Sequence, residues 1–258
     1  MKLTRKITFA GLLLACALTA FADAEIGETV ESPLVLGKRS IALPPGKWVV
    51  VNSTEARAGT DGIAIGAANK GQYLVQLDAQ NRLVAAANIR TSLFSSASGG
   101  SGGWNDATCN RNDTVFKDTL DGNFKYPTCL LVNHSTNFWT GGVPSNEYDK
   151  VIWTWYRDKK VVMPKTAIAT VYVKYFSGDY IQVRYWFNPE LAGIAPDTTA
   201  EWSKSPWHVD LVKSSPDHSR YIDAVKQWNQ TLVSANRASL YEGKPSVSSL
   251  PALPTLTK

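Results

Sequence analysis

The sequence predicts an α+β protein, a single domain in which an antiparallel β-sheet of two clear hairpins plus further strands is packed by two amphipathic helices, one of them long and C-terminal. Three observations predict it: two stretches, 72–90 and 165–187, alternate apolar and polar residues and fold back through turn signals; two others carry helical periodicity; and no composition shift divides the chain between Pro33 and Gly243. With 258 residues, 44% hydrophobic and 19% charged, the chain has apolar material for a core and is neither disordered nor collagen-like.

Residues 1–24 read as an export signal and stand outside the fold. Lys2, Arg5 and Lys6 form a cationic start, and the run from Ile7 to Ala22 is uncharged. Ala22 and Ala24 place small residues at the two positions a signal peptidase inspects, so cleavage is expected before Glu25. The uncharged run has 16 residues, short of the roughly 20 that a helix needs to span a bilayer. Leu13-Leu14-Ala15-Cys16 resembles a lipobox, which would make an outer-membrane lipoprotein through Cys16. Leu14 is bulky for its place and Ala17 to Ala22 stay apolar, which favours a periplasmic or secreted product with no transmembrane segment left after signal removal. Losing Lys2, Arg5, Lys6 and Asp23 takes the formal charge from +5 to +3. That value, without clustered cations, excludes a nucleic-acid partner.

The mature chain is expected to begin with a polar lead-in, Glu25 to Ser32, and a short mixed stretch to Leu43. Pro44-Pro45-Gly46 is a turn signal. Lys47 to Asn52 reads as a buried strand, and 59–71 as a Gly- and Ala-rich stretch with one short strand around Ile63. Gln72 to Asp78 and Arg82 to Arg90 form the first hairpin, the alanines of its second strand leaving room for something bulky. Ser95 to Gly103 is a glycine-serine loop. Tyr148, Val151, Ile152 and Trp155 mark a helix capped by Ser145 and closed before Pro164. Lys165 to Phe176 and Tyr180 to Phe187 form the second hairpin, large on both faces and so central in the sheet. Trp207 to Val212 is a candidate strand. Ser215, Pro216 and Asp217 open the last helix, Tyr221, Val225, Trp228, Leu232 and Ala235 form its buried stripe, and Gly243 ends it. Residues 244–258, rich in Pro, Ser and Thr, are expected to be a mobile tail.

Cys109 and Cys129 are expected to form a disulfide in an oxidising compartment. The chemistry-bearing residues are sparse. Gly99-Gly100-Ser101-Gly102-Gly103 matches G-x-S-x-G, but a glycine run without a following helix cannot hold a nucleophile. Of the three histidines, His134 faces away from Cys129 and has Asp113 as a candidate partner; His208 and Asp210 share a strand face; His218, in the first turn of the last helix, is expected at the surface. No metal site, phosphate loop or dinucleotide fingerprint is present, so no cofactor is expected. Four Asn-x-Ser/Thr acceptor patterns, at Asn52, Asn112, Asn133 and Asn229, matter only in a eukaryotic secretory pathway. Of nine tryptophans, Trp48, Trp153, Trp155, Trp186 and Trp228 are assigned to the core, whereas Trp104, Trp139, Trp202 and Trp207 lie in or beside loops. The favoured ligand surface is Trp104, Asn105, Asp106, Arg111, Asp113, His134 and Trp139. The expected function is a non-catalytic binding or accessory role in a bacterial envelope, toward an envelope protein or a glycan. A His/Asp envelope hydrolase and a lipid-anchored assembly factor are the alternatives.

Overall fold

A computed structural model of the chain describes residues 23–57, 68–93, 108–121, 127–136, 143–176, 179–199 and 201–256. Residues 1–22, which hold most of the expected export signal, the stretch around Ile63, the G-x-S-x-G pattern, and Trp104, Asn105, Asp106 and Trp139 lie outside them. The described strands are β1 (Thr29–Val30), β2 (Leu34–Leu36), β3 (Arg39–Ile41), β4 (Trp48–Arg57), β5 (Ala68–Leu77), β6 (Leu83–Ser92), β7 (Phe116–Thr119), β8 (Thr128–Thr136), β9 (Thr166–Phe176) and β10 (Asp179–Phe187). Two helices join them, α1 (Glu147–Asp158) and α2 (Pro216–Glu242). The main sheet runs β1-β4-β5-β6-β10-β9-β8-β7, antiparallel throughout, and β2 and β3 form a small separate hairpin. The sheet is two meanders, β4 to β6 and β7 to β10, zipped together where Ile181 to Phe187 of β10 pair with Ala85 to Thr91 of β6.

The face under α2 holds the larger core. Along the helix Tyr221, Val225, Trp228, Leu232 and Ala235 are all buried, as the spacing of the sequence requires. The alanines of β6 prove to be spacers: Ala85 and Ala87 sit opposite Phe187 and Tyr185. Trp228 packs edge-on to both of those rings at 5.2 Å, and Trp48 reaches Tyr185 at 6.0 Å. Among the described residues the opposite face is covered only in part. Helix α1 lies over the β4–β6 half, where Ile152 and Tyr156 pack with Val51, Tyr73, Val75 and Ala86. At the other end Cys129, Leu131, Val171, Val173, Tyr175 and Tyr180 cluster beneath Cys109.

Several local expectations are corrected. Helix α1 is capped by Asn146, which accepts from the Asp149 amide at 2.8 Å, one residue later than Ser145. Its inward stripe is Tyr148, Ile152 and Tyr156 at successive i+4 positions, while Val151 is exposed. Pro33 to Leu43 contains the β2–β3 hairpin. Trp207 to Val212 is not a strand: the His208 amide returns to the Ser205 carbonyl, the Val212 amide to the His208 carbonyl, and Val212–Ser214 is a 3₁₀ turn. Ser205, held by Asp197 at 2.6 Å, accepts the Trp207 amide and turns the chain, so Trp207 is buried beneath α2 against Tyr221. Gly243 ends α2 in a left-handed conformation, φ 74°, which glycine adopts without steric cost. The chain beyond it, expected to be a mobile tail, packs onto the body through residue 256. Leu250 is buried, its amide bonded to the Leu43 carbonyl at 2.9 Å, and the Trp228 indole donates to the Pro251 carbonyl at 3.2 Å.

Candidate functional site

Between α1 and the Cys109 segment no element among the described residues covers the sheet, and there a cleft of about 490 Å³ opens. Strand register builds its floor. Leu131, Val171 and Arg184 form one cross-strand row, and Asn133, Ala169 and Trp186 form the next. Alternation explains why these six share a face: their neighbours Leu130, Val132, Thr170, Val183 and Tyr185 are buried on the α2 side. Thr108, Arg111 and Thr114 make the wall. That wall is pinned by a disulfide, for the sulfurs of Cys109 and Cys129 lie 2.06 Å apart across a sequence separation of 20. The Asn133 amide donates to the Asp113 carbonyl at 3.2 Å, and Lys117 to the Arg111 carbonyl at 3.1 Å, which ties the wall to the strands.

Two of the residues that line the site, Arg111 and Arg184, are cationic. Arg111 grips Asp113 with two hydrogen bonds, 2.8 and 2.6 Å, which hold that carboxyl below its ordinary range. The Arg184 guanidinium stands 5.5 Å from the centre of the Trp186 ring. On the adjacent strand Asn88 lies opposite Arg184 and Arg90 opposite Gln182, so Arg90 is the diagonal neighbour of Arg184. Arg90 is 5.5 Å from the Tyr148 ring of α1. Burial pushes the Tyr148 hydroxyl up to about 12 against the opposing pull of Arg90 and Arg184. Among the described residues that line the cleft, none is acidic.

The histidines lie at one end of this region. His134, beside Ser135 at the end of the cleft, stacks flat on Trp202 at 4.9 Å. Its Nε2 is 3.3 Å from the Trp202 carbonyl, so the proton sits there and Nδ1 is a buried acceptor. His208 packs edge-on to Trp202 at 4.5 Å and lies 3.4 Å from the Asp210 carboxylate. The expected pairing of His134 with Asp113 is not formed, because Arg111 takes the carboxylate. His208 and Asp210 do meet, within a turn rather than along a strand. His218 is half-buried against Trp207 at 4.2 Å, with Ser215 on its Nδ1, and burial lowers its pKa. A neutral ring there leaves the positive end of α2 unopposed. Among the described residues no group of three or more His, Cys, Asp or Glu is placed to hold a metal ion.

Of the expected ligand surface, Arg111 and His134 reach the cleft and Asp113 braces its wall. Trp202 and Trp207 plug rather than present, the one on His134 and the other beneath α2. Sequence reasoning missed Arg184 and Trp186, the latter assigned to the core. The signal that finds them is alternation read across two strands at once: Gln182, Arg184 and Trp186 on β10 face the same way as Asn88 and Arg90 on β6. No protein-family model, curated protein or solved structure matches the chain.

Proposed function

We propose that this is an exported bacterial envelope protein with a binding or accessory role, acting through the cleft on the open part of its sheet and performing no catalysis. The carrying observation is the cleft itself: about 490 Å³ with an aromatic ring, guanidinium groups and hydroxyls converging on it, within the usual size range of small-ligand sites. A disulfide suits an oxidising compartment, and no helix among the described residues is long and apolar enough to cross a membrane. The cationic, then apolar, then small-residue order of residues 1–24 supplies the route out of the cytoplasm. An envelope glycan is the partner whose hydroxyls and apolar ring faces suit Asn133, Thr108, Thr114 and Trp186.

The hydrolase reading loses its best acid–base pair with the engagement of Asp113 by Arg111. The lipid-anchored reading keeps one specific motif, Leu13-Leu14-Ala15-Cys16, and intact-mass analysis of the mature N-terminus decides it: an N-terminus at Glu25 leaves no Cys16 to acylate. Binding is tested by a thermal-shift screen of purified mature protein against envelope glycan fragments, with turnover measured in parallel. The expected result is a raised Tm with at least one fragment and no product. Val171→Trp, which fills the floor of the cleft, should abolish the shift; turnover of any fragment overturns the proposal.

A further inference from the structure

Two residues that the sequence assigns to the discarded export signal are built into the fold. The Asp23 carboxylate pairs through one oxygen with Lys70 of β5 and accepts through the other from the amide of Gly37, in the turn between β2 and β3, at 2.6 Å. Lys70 is 17% and Asp23 24% exposed, so water screens the pair less than it would a surface pair. One carboxylate thus joins the small hairpin to the main sheet. Ala24 adds a second tie. Its carbonyl accepts from the Gln72 side chain, and its methyl packs against the core beneath α2. Gln72 is fully buried and its Oε1 has no hydrogen-bond partner, so the bond to Ala24 is what satisfies this amide.

A cut between Ala24 and Glu25 takes the acceptors away from Lys70, the Gly37 amide and the Gln72 amide together. A buried donor left unpaired is the costly case. In exchange the new ammonium group at Glu25 faces Glu28, whose carboxylate the Glu25 amide already reaches. Both of those residues are exposed, so solvent and salt weaken that pair. The sequence offers a second bond two residues upstream with the same small-x-small chemistry. Ala20-Phe21-Ala22 puts Ala20 and Ala22 at the positions that Ala22 and Ala24 hold for the later cut.

We infer that the export signal is cut between Ala22 and Asp23, and that Asp23 and Ala24 stay in the mature protein as the tie between the β2–β3 hairpin and β5. This rests on the export reading of the leader and fixes its processing site. Losing Lys2, Arg5 and Lys6 while keeping Asp23 takes the formal charge from +5 to +2.

The test is N-terminal sequencing and intact-mass analysis of the full chain expressed in a bacterium and recovered from its envelope. The expected terminus is Asp23. Ala20→Phe puts a bulky ring where the peptidase inspects only for the upstream cut, so the yield of the Asp23 terminus should fall at least tenfold. Ala24→Val alters a position inspected only for the downstream cut and should leave the Asp23 terminus in place. A terminus at Glu25 in the unaltered chain overturns the inference and leaves the export reading standing. An acylated terminus at Cys16 overturns it in favour of the lipid-anchored reading. Full-length chain retained in the cytoplasm overturns the export reading and the inference with it. The tie is measured separately, by comparing protein that begins at Asp23 with protein that begins at Glu25. The shorter chain should melt about 4–8 °C lower, and Asp23→Asn in the longer chain should give part of that loss. Equal melting temperatures overturn the tie.

Discussion

His134 is where a single side chain sets a measurable property of the whole protein. It is 5% exposed, clamped against the Trp202 ring, and burial lowers its pKa from 6.5 to about 4, helped by His208 and opposed by the Trp202 carbonyl and Asp197. In the folded chain the ring is therefore neutral between pH 6.5 and 4, whereas in the unfolded chain it binds a proton there. The unfolded state holds more protons in that window, so stability is flat above it and falls as the pH drops through it. The full loss attributable to His134 is about 3 kcal/mol. Urea titrations from pH 7.5 to 4 should show that slope in the native protein and a shallower one in His134→Gln; parallel slopes would show that the ring is solvated. The sequence placed His134 correctly on the face away from Cys129. It could not show Trp202 covering it, because that contact joins residues 68 apart in the chain.

At the scale of elements, what was legible followed periodicity. The paired strands β5–β6 and β9–β10 and the stripe of α2 could be read because each buries one face along its whole length, so the period is uninterrupted. Trp207 to Val212 imitates that signal over six residues, yet its amides turn back on Ser205 and His208, and Ser205 offers the backbone a turn instead. The cleft was hidden for a related reason. Periodicity tells which residues share a face, but whether that face is covered depends on where α1 and the 108–114 segment come to rest. The disulfide controls the second of these. Closing a loop of this length is worth about 3 kcal/mol, so Cys109→Ser/Cys129→Ser should lose about that much in denaturant unfolding. The same variant frees Thr108 and Arg111 from their wall, so ligand affinity should fall more than stability alone explains. An unchanged unfolding midpoint would mean that the bond constrains little.

At the scale of the whole molecule, the C-terminal segment acts as a clasp. It leaves α2 at Gly243 and returns along the edge of the core, where the Ser249 hydroxyl and the Leu250 amide both donate to the Leu43 carbonyl. Leu250 is 2% exposed, and Leu253 and Leu256 pack on the same cluster as Trp228. The composition of this segment hides that role, since isolated leucines among Pro, Ser and Thr carry no period. Leu250→Ala should cost about 2–3 kcal/mol in equilibrium unfolding, the usual range for a buried leucine; a change near zero would mean that the segment is undocked in solution.

The first described residues, Asp23 to Glu25, lie on the same body, with a bearing on the export proposed above. The peptide bond between Ala24 and Glu25 is engaged on both sides: its carbonyl accepts from the Gln72 side chain at 2.6 Å, and its amide donates to Glu28 at 2.7 Å. Asp23 is anchored in turn by Lys70 and by the Gly37 amide. A peptidase that cuts there needs the bond extended and detached, which it is only before β5 takes its place. Timing then becomes part of the design. On the proposed export reading, a precursor that folded ahead of its peptidase would carry the Ala24–Glu25 bond out of reach and persist uncut there.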